Sequence, residues 1–415
     1  MQTKLSPEFE NTPDGLAAEA ILRKCVHCGF CTATCPTYQL LGDELDGPRG
    51  RIYLMKQVLE GAEPTRSTQL HLDRCLTCRN CESTCPSGVD YGHLVDIGRK
   101  IVDAKVPRPA SERAMRWALK EGLNSPMFGP AMKLGQAVRG VLPGKLKAKV
   151  PAPQSAGVWP SASHARQVLM LTGCVQPSMM PNINGATARV LDAAGIQTLV
   201  AAEAGCCGAV KFHLNDQEGG KAQMRANIDA WWPFVEQVEA IVMNASGCGV
   251  TVKEYGHLLA DDPAYAAKAA RISALTRDLS ELLPTMLPAL TAALQARPAH
   301  AGEKLAFHPP CTLQHGQQLR GGVETHLRAL GFDVRTCVNE AHLCCGSAGT
   351  YSVLNPGIAT QLRDRKLGHL AQSFGTDQPE TIISANIGCI THLQSGTATP
   401  VRHWVEVLDA ALAAA

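Results

Sequence analysis

The sequence predicts a mixed α+β and α/β chain, a small helical module at the N-terminus followed by two copies of one α/β unit. Three observations carry this expectation. One cysteine run occurs twice between residues 25 and 86, a strand–helix–Cys-Cys-Gly–strand pattern occurs twice after residue 165, and a basic stretch broken by proline and glycine lies between them.

The chain has 415 residues, enough for two or three domains. Apolar residues make up 45% and charged residues 18%, an ordinary globular balance. The formal net charge of +2 gives no reason to expect a nucleic-acid partner. The 17 cysteines are an odd number in a long chain, unlike a secreted disulfide scaffold. The opening MQTKLSPEFENTPDG is polar and lacks the apolar stretch of a signal peptide, so a reducing, cytoplasmic setting is expected. No apolar run approaches the ~20 residues of a spanning helix. The stretch LLPTMLPALTAALQA is short and expected to be broken by its prolines.

The first module is placed at residues 1–105. GLAAEAILRK reads as a helix, then comes Cys25, Cys28, Cys31, Cys35 and Pro36, and fifty residues on the run repeats as Cys75, Cys78, Cys81, Cys85 and Pro86. Between the runs, Ile52, Leu54, Met55, Val58 and Leu59 have the spacing of an amphipathic helix. Three cysteines two residues apart can face one cubane from one side. The three-residue step then begins a helical turn that aims the fourth thiolate elsewhere. This is the bacterial two-cluster ferredoxin run, in which the fourth cysteine ligates the other cluster. The expected ligands are Cys25, Cys28, Cys31 and Cys85 for one [4Fe–4S] cluster, and Cys75, Cys78, Cys81 and Cys35 for a second. Zinc sites use separated pairs and do not account for two full copies of the longer run. Gly29 is read as loop geometry, and Arg79 as either solvated or screening cluster charge.

Residues 106–165 form the connector, with Arg113, Arg116, Lys120, Lys133, Arg139, Lys147 and Lys149 among its bases and PAPQSAGVWPSAS as a linker. It reads as a solvated connector or as a basic amphipathic surface that meets an anionic membrane or a partner.

The two repeats are placed at 166–300 and 301–415. Each has a buried strand leading to a cysteine (Cys174, Cys311), a helix closed by glycine, a Cys-Cys-Gly (Cys206 and Cys207, Cys344 and Cys345), and a strand leading to a last cysteine (Cys248, Cys389). The near-constant offset marks them as homologous βαβ-type units with parallel sheets. Their eight cysteines sit at strand ends or helix starts, where backbone N–H groups favour thiolates. They are candidate further metal centres, with zinc, a cubane and a less usual iron–sulfur cluster all open. His308, His315, His342 and His392 gather about the second set as candidate contacts, and Cys337 is read as structural. No G-x-G-x-x-G follows a strand, so no flavin or nicotinamide site is expected on this chain.

Together, CVHCGFCTATCPTYQLLGDELDGPRGRIYLMKQVLEG, HLDRCLTCRNCESTCPSGV, EAGCCGAV, NASGCG, TLQH, HLCCGSAGTY and ANIGC resemble the two-cluster ferredoxin plus two CCG domains of heterodisulfide-reductase-related subunits. More closely they are similar to the glycolate oxidase iron–sulfur subunits. The resemblance implies an electron-transfer subunit of a multisubunit glycolate oxidase. Glycolate would be oxidised to glyoxylate at FAD on two flavin-type partner subunits, and electrons would pass to a respiratory acceptor such as quinone. It also implies peripheral association with the inner face of the cell membrane, and no catalytic residue on this chain. The fullest CCG pattern ends in CxxC. Here Gly-Val-Thr follows Cys248 and Ile-Thr-His follows Cys389, so each unit keeps four cysteines. Rival readings are an iron–sulfur subunit of anaerobic glycerol-3-phosphate or lactate dehydrogenase, a heterodisulfide- or quinone-reductase-like enzyme acting at the CCG centre, and a zinc scaffold.

Overall fold

The computed structural model describes residues 1–147, 149–295 and 302–413. The N-terminal module is helical because its sequence caps helices and gives each an apolar stripe. Thr12 caps Pro13–Lys24 by accepting from the Gly15 N–H, and Thr65 with Thr68 forms a capping box on Arg66–Asp73. The expected helix between the motifs is present as Pro48–Leu59. Together with Tyr91–Lys105 these helices bury Leu22, Ile52, Met55, Leu72, Leu94 and Val102 around one core, which also takes in Cys25, Cys75 and Cys81. One-turn helices Phe30–Ala33 and Asn80–Thr84 occupy the two three-residue steps, as the motif spacing requires.

The connector contains helices Ala110–Gly122 and Phe128–Ala137. It is not a free tether. Arg108 pairs with Asp73 and Asp103, Arg116 with Asp73 (3.1 Å), and Lys120 with Asp216 (3.2 Å). Several of its bases thus fasten it to the first module and the first repeat.

Each repeat is a four-stranded, all-parallel sheet. The first contains β1 (Arg166–Met170), β2 (Ile196–Leu199), β3 (Ala240–Met243) and β4 (Thr276–Asp278) in the order β2-β1-β3-β4. The second contains β5 (Lys304–His308), β6 (Asp333–Thr336), β7 (Thr381–Ser384) and β8 (Val401–His403) in the order β6-β5-β7-β8. Register repeats too: Val168 opposes Ala240, and Leu305 opposes Thr381. The units share one apolar core through reciprocal helix contacts. Pro181–Ala193 packs on Trp404–Ala413, and Leu279–Gln295 packs on Gly322–Ala329. Such exchange of equivalent elements is the pattern of a two-fold-related pair.

Two expectations need correction. The proline-bearing stretch is one continuous helix, Leu279–Gln295, because Pro284 and Pro288 lie four residues apart on its exposed side while Leu283, Met286 and Leu290 are buried opposite. Cys248 and Cys389 do not end strands: β3 and β7 stop five residues earlier, and both cysteines lie in the first turn of helices Ser246–Lys253 and Ile387–Gln394. The expected division at 300/301 falls outside the described residues.

Candidate functional site

In each motif of the first module the loop winds identically. His27 and Gly29, and fifty residues on Thr77 and Arg79, all take left-handed backbone conformations. Alternating hand turns successive N–H groups inward, towards an anionic centre, and the Thr77 N–H reaches Cys75 Sγ at 3.4 Å. The fourth cysteines cross over. Cys85 joins Cys25, Cys28 and Cys31 around one cavity, and Cys35 joins Cys75, Cys78 and Cys81 around another. Cys81 lines both, so the two cavities adjoin. Burial, with Cys25 and Cys85 close by, pushes the Cys31 thiol up to about 11. Burial likewise drives Cys78 and Cys81 upward. Such sets do not ionise together without a bound cation, and four convergent thiolates are the donor set of an iron–sulfur cubane.

The two sites differ in setting. Cys28 is exposed, beside Val26 (68% exposed) and Phe30 (62%). The other set is enclosed by buried Arg51 and Arg99, the latter donating to the Cys75 carbonyl and to Thr77 Oγ1 (2.9 Å). Arg51 is held by Asp46, which also accepts from Arg74 (2.8 Å) and contacts His71 Nδ1 (3.0 Å). Cysteine spacing gives no sign of this hub, although Asp46 and Arg51 both lie in the stretch GDELDGPRGRIYLMK between the two runs.

In the repeats, strand order reverses between β1 and β3, and between β5 and β7. Ligands of parallel sheets gather outside the carboxyl ends of strands at such points. There the structure assembles Cys174, Cys206, Cys207 and Cys248 in one unit, and Cys311, Cys344, Cys345 and Cys389 in the other. Gly208 (φ +92°) and Gly346 (φ +88°) cap the turn after each cysteine pair. A Cβ would lie 2.7 Å from the Gly220 carbonyl in the first and 2.5 Å from the Ala359 carbonyl in the second, so only glycine fits the third position. The sets are not equivalent. In the first, contacts from Cys174 and Cys207 and the N–H groups of Gly208 and Val210 pull Cys206 well down, making it the preferred thiolate. The second is buried throughout, and contact with Cys344 together with burial raises Cys311.

Both sets open on a central cavity of ≈ 320 Å³, whose third wall is Cys75, Cys78, Arg79 and His93 of the first module. Cys78 lies in electrostatic reach of Cys311 and Cys344, with Leu76 and Tyr351 packed about them. Arg79, one of the two roles proposed for which was solvation, instead pairs with Glu82 (2.7 Å) and with Glu254 across the unit boundary. His315 is tied to Ser83 Oγ (3.0 Å) and the His342 carbonyl (2.8 Å), and His392 to the Ala359 carbonyl (3.1 Å). Among the described residues His308 is grouped with Cys345 and Cys389, their ligand atoms within 4.8 Å of one another. Cys337 is buried in the shared core.

The 4Fe-4S dicluster domain family matches residues 21–89, and the Cysteine-rich domain family matches residues 168–253 and 305–394. The chain is 55% identical over 415 residues, 99% of each chain, to the "Glycolate oxidase iron-sulfur subunit" of Escherichia coli (strain K12). It is 30% identical over 430 residues to the "Probable glycolate oxidase iron-sulfur subunit" of Bacillus subtilis (strain 168), covering 95% of this chain and 92% of the relative. It is also 26% identical to "Lactate utilization protein A" of Bacillus licheniformis, over 59% of this chain and 99% of the relative.

Proposed function

The chain belongs to the glycolate oxidase iron–sulfur subunit family, and on that premise we propose that it is the electron-transfer subunit of a complex oxidising glycolate to glyoxylate at a flavin on partner subunits. The observation that carries this reading is the convergence of the second ferredoxin-type cysteine set and both Cys-Cys-Gly sets on one cavity. Bound [4Fe–4S] clusters supply one-electron transfer. The residues do the rest. Cys25, Cys28, Cys31 and Cys85 are the proposed ligands of one cluster, and Cys75, Cys78, Cys81 and Cys35 those of the other. Support comes from the two adjoining cavities that these groups line. Cys174, Cys206, Cys207, Cys248 and Cys311, Cys344, Cys345, Cys389 are proposed further metal centres. The division 1–105, 106–165, 166–300 and 301–415 is kept as the proposed domain plan.

The exposed rim at Val26, Cys28 and Phe30 is where a flavin-bearing partner would approach, and the central cavity is the proposed exit towards a quinone-type acceptor. Among the described residues no helix is long and apolar enough to cross a membrane. Peripheral association with the inner face of the cell membrane is supported by exposed Met115, Trp117, Met127, Leu134 and Val141 on the connector. Vesicle flotation at low and raised salt tests this, since salt screens surface attraction beyond about 8–10 Å. Wholly soluble behaviour at low salt would refute it.

The central test is anaerobic purification with whatever co-purifies. The expected result is a flavin-containing complex with about eight iron and eight sulfide from the first module, whose visible absorption bleaches on adding glycolate. Bleaching by lactate or glycerol 3-phosphate instead of glycolate would transfer the subunit to a rival dehydrogenase. A zinc-only protein would end the reading.

A further inference from the structure

The two Cys-Cys-Gly units are repeats, yet one position differs in chemistry exactly where the cysteines meet. Leu171 follows β1 in the first unit. Its counterpart at the end of β5, 137 residues on, is His308. Both side chains are buried, Leu171 at 3% and His308 at 0% exposure. The fold therefore accepts a hydrocarbon here and does not require an imidazole. Among the described residues neither ring nitrogen of His308 has a hydrogen-bond partner. An unpaired buried polar group is destabilising, so such a side chain needs an occupation.

The ligand atoms of His308, Cys345 and Cys389 all lie within 4.8 Å of one another, and all three residues are buried. A tetrahedral zinc ion, with Zn–S ≈ 2.3 Å and Zn–N ≈ 2.0–2.1 Å, sets its ligand atoms about 3.5–3.8 Å apart. Small side-chain rotations close that difference. Mixed thiolate and imidazole donors suit zinc. The charge also fits: Lys366, 2% exposed and bound to the carbonyls of Glu340 and Ala341, lies in electrostatic reach of His308, Cys311 and Cys389. It can offset the negative charge of a thiolate-rich zinc site.

We propose that the second unit holds one zinc ion on His308, Cys345 and Cys389, with its fourth position turned towards Cys311, whereas the first unit holds a centre ligated by cysteine alone. The inference rests on the reading that the second cysteine set is a metal centre. It gives the repeats different tasks. Zinc is not redox-active, so the second unit is a rigid wall of the cavity and one-electron chemistry beyond the first module belongs to the first unit.

Metal analysis and zinc K-edge absorption on the anaerobically purified complex test this, comparing wild type with His308→Leu, His308→Cys and Cys207→Ala. Wild type should carry about one zinc per chain with a mixed sulfur and nitrogen shell. His308→Leu, which copies the first unit, should lose zinc at least tenfold more readily to a chelator and keep the iron and sulfide of the first module. His308→Cys should retain zinc in an all-sulfur shell, which covers the case that the leucine variant does not fold. Cys207→Ala should keep its zinc. Zinc retained at the wild-type level in His308→Leu, or an unaltered shell in His308→Cys, would overturn the proposal, as would iron in place of zinc at this site. Glycolate-dependent bleaching is read in the same samples, so failure of the zinc site and failure of the electron-transfer reading are separable.

Discussion

At the scale of single residues, two kinds of buried constraint hold the cysteines. The first is backbone. Gly346 combines a left-handed conformation with contact against the Ala359 carbonyl. Gly346→Ala should cost at least about 1–3 kcal/mol through strain alone and displace Cys344 and Cys345. A lowered denaturation midpoint with loss of metal from the second unit is the expected measurement. The second constraint is charge. Asp46 and Arg51 are each 1% exposed at the side chain, and Asp46 also holds Arg74 and His71. Removing one partner of a buried pair leaves the other uncompensated, at about 3–5 kcal/mol. Asp46→Ala should therefore destabilise the first module by roughly that amount. Replacing both partners by apolar residues of similar volume should recover much of it. If the single and double variants unfold alike, the hub has no such role.

At the scale of elements, the cysteine loops were legible because a cubane's ligands come from a few consecutive residues and spacing alone fixes their geometry. Cys85 lines the cavity of the first run and Cys35 that of the second, the placement that the three-residue steps led one to expect; their roles as ligands stay proposed. The repeat was legible because two copies of a pattern check each other. Where expectation failed, the cause lay in packing. Periodicity does not distinguish the end of a strand from the cap of the next helix, so Cys248 and Cys389 were assigned to the wrong element. Proline count mispredicted Leu279–Gln295, because burial of its apolar side against the other unit outweighs two lost backbone bonds. The crossing has a direct consequence. Cys78 lies among Cys35, Cys75 and Cys81, and Cys81 also lines the neighbouring cavity. Cys78→Ser should remove one cluster and loosen the other, lowering iron from about eight per module to about four or fewer. An unaltered two-cluster EPR signal in that variant would contradict the ligand set.

At the scale of the molecule, nothing in the sequence announced which surfaces of the three units meet. Arg79, Glu254 and His93 form one of the straps between the first module and the first repeat. Burial pushes Glu254 up, but the nearby His93 ring (3.4 Å) and the Arg79 charge outweigh it and hold the group at about 2, against an ordinary 4.5. Burial acts against His93 too, yet Glu254 raises it above 6.5. The signs differ. The depressed Glu254 contributes stability above pH 4.5 that is lost as pH falls towards 2. The raised His93 contributes stability below pH 6.5 that is lost as pH climbs through its folded value. The difference in denaturation midpoint between wild type and Glu254→Gln should thus be largest between pH 4.5 and 6.5 and shrink above that range. A difference independent of pH would remove His93 from the strap.

That strap closes one side of the cavity on which Cys78 and the two Cys-Cys-Gly sets look out. The sets face it differently. Cys174 and Cys248 are half-buried at its edge and Cys206 is the favoured thiolate, while all four cysteines of the second set are buried residues. Contact with the first module, through Cys78, is nevertheless on the side of the second set. Proximity and exposure therefore point to different sets as the last station before an acceptor. Variants decide between them. If exposure governs, Cys207→Ala should lower turnover with the physiological acceptor at least tenfold, leaving about eight iron in the first module and glycolate-dependent bleaching intact, because the block lies beyond those clusters. Cys345→Ala should then act mainly through stability, with turnover restored at lower temperature. If proximity governs, the two variants exchange these behaviours, and the assignment of redox-inactive zinc to the second set falls with them. Wild-type turnover and metal content in both would return all eight cysteines to the status of core packing and leave the cavity wall at Cys78 as the exit.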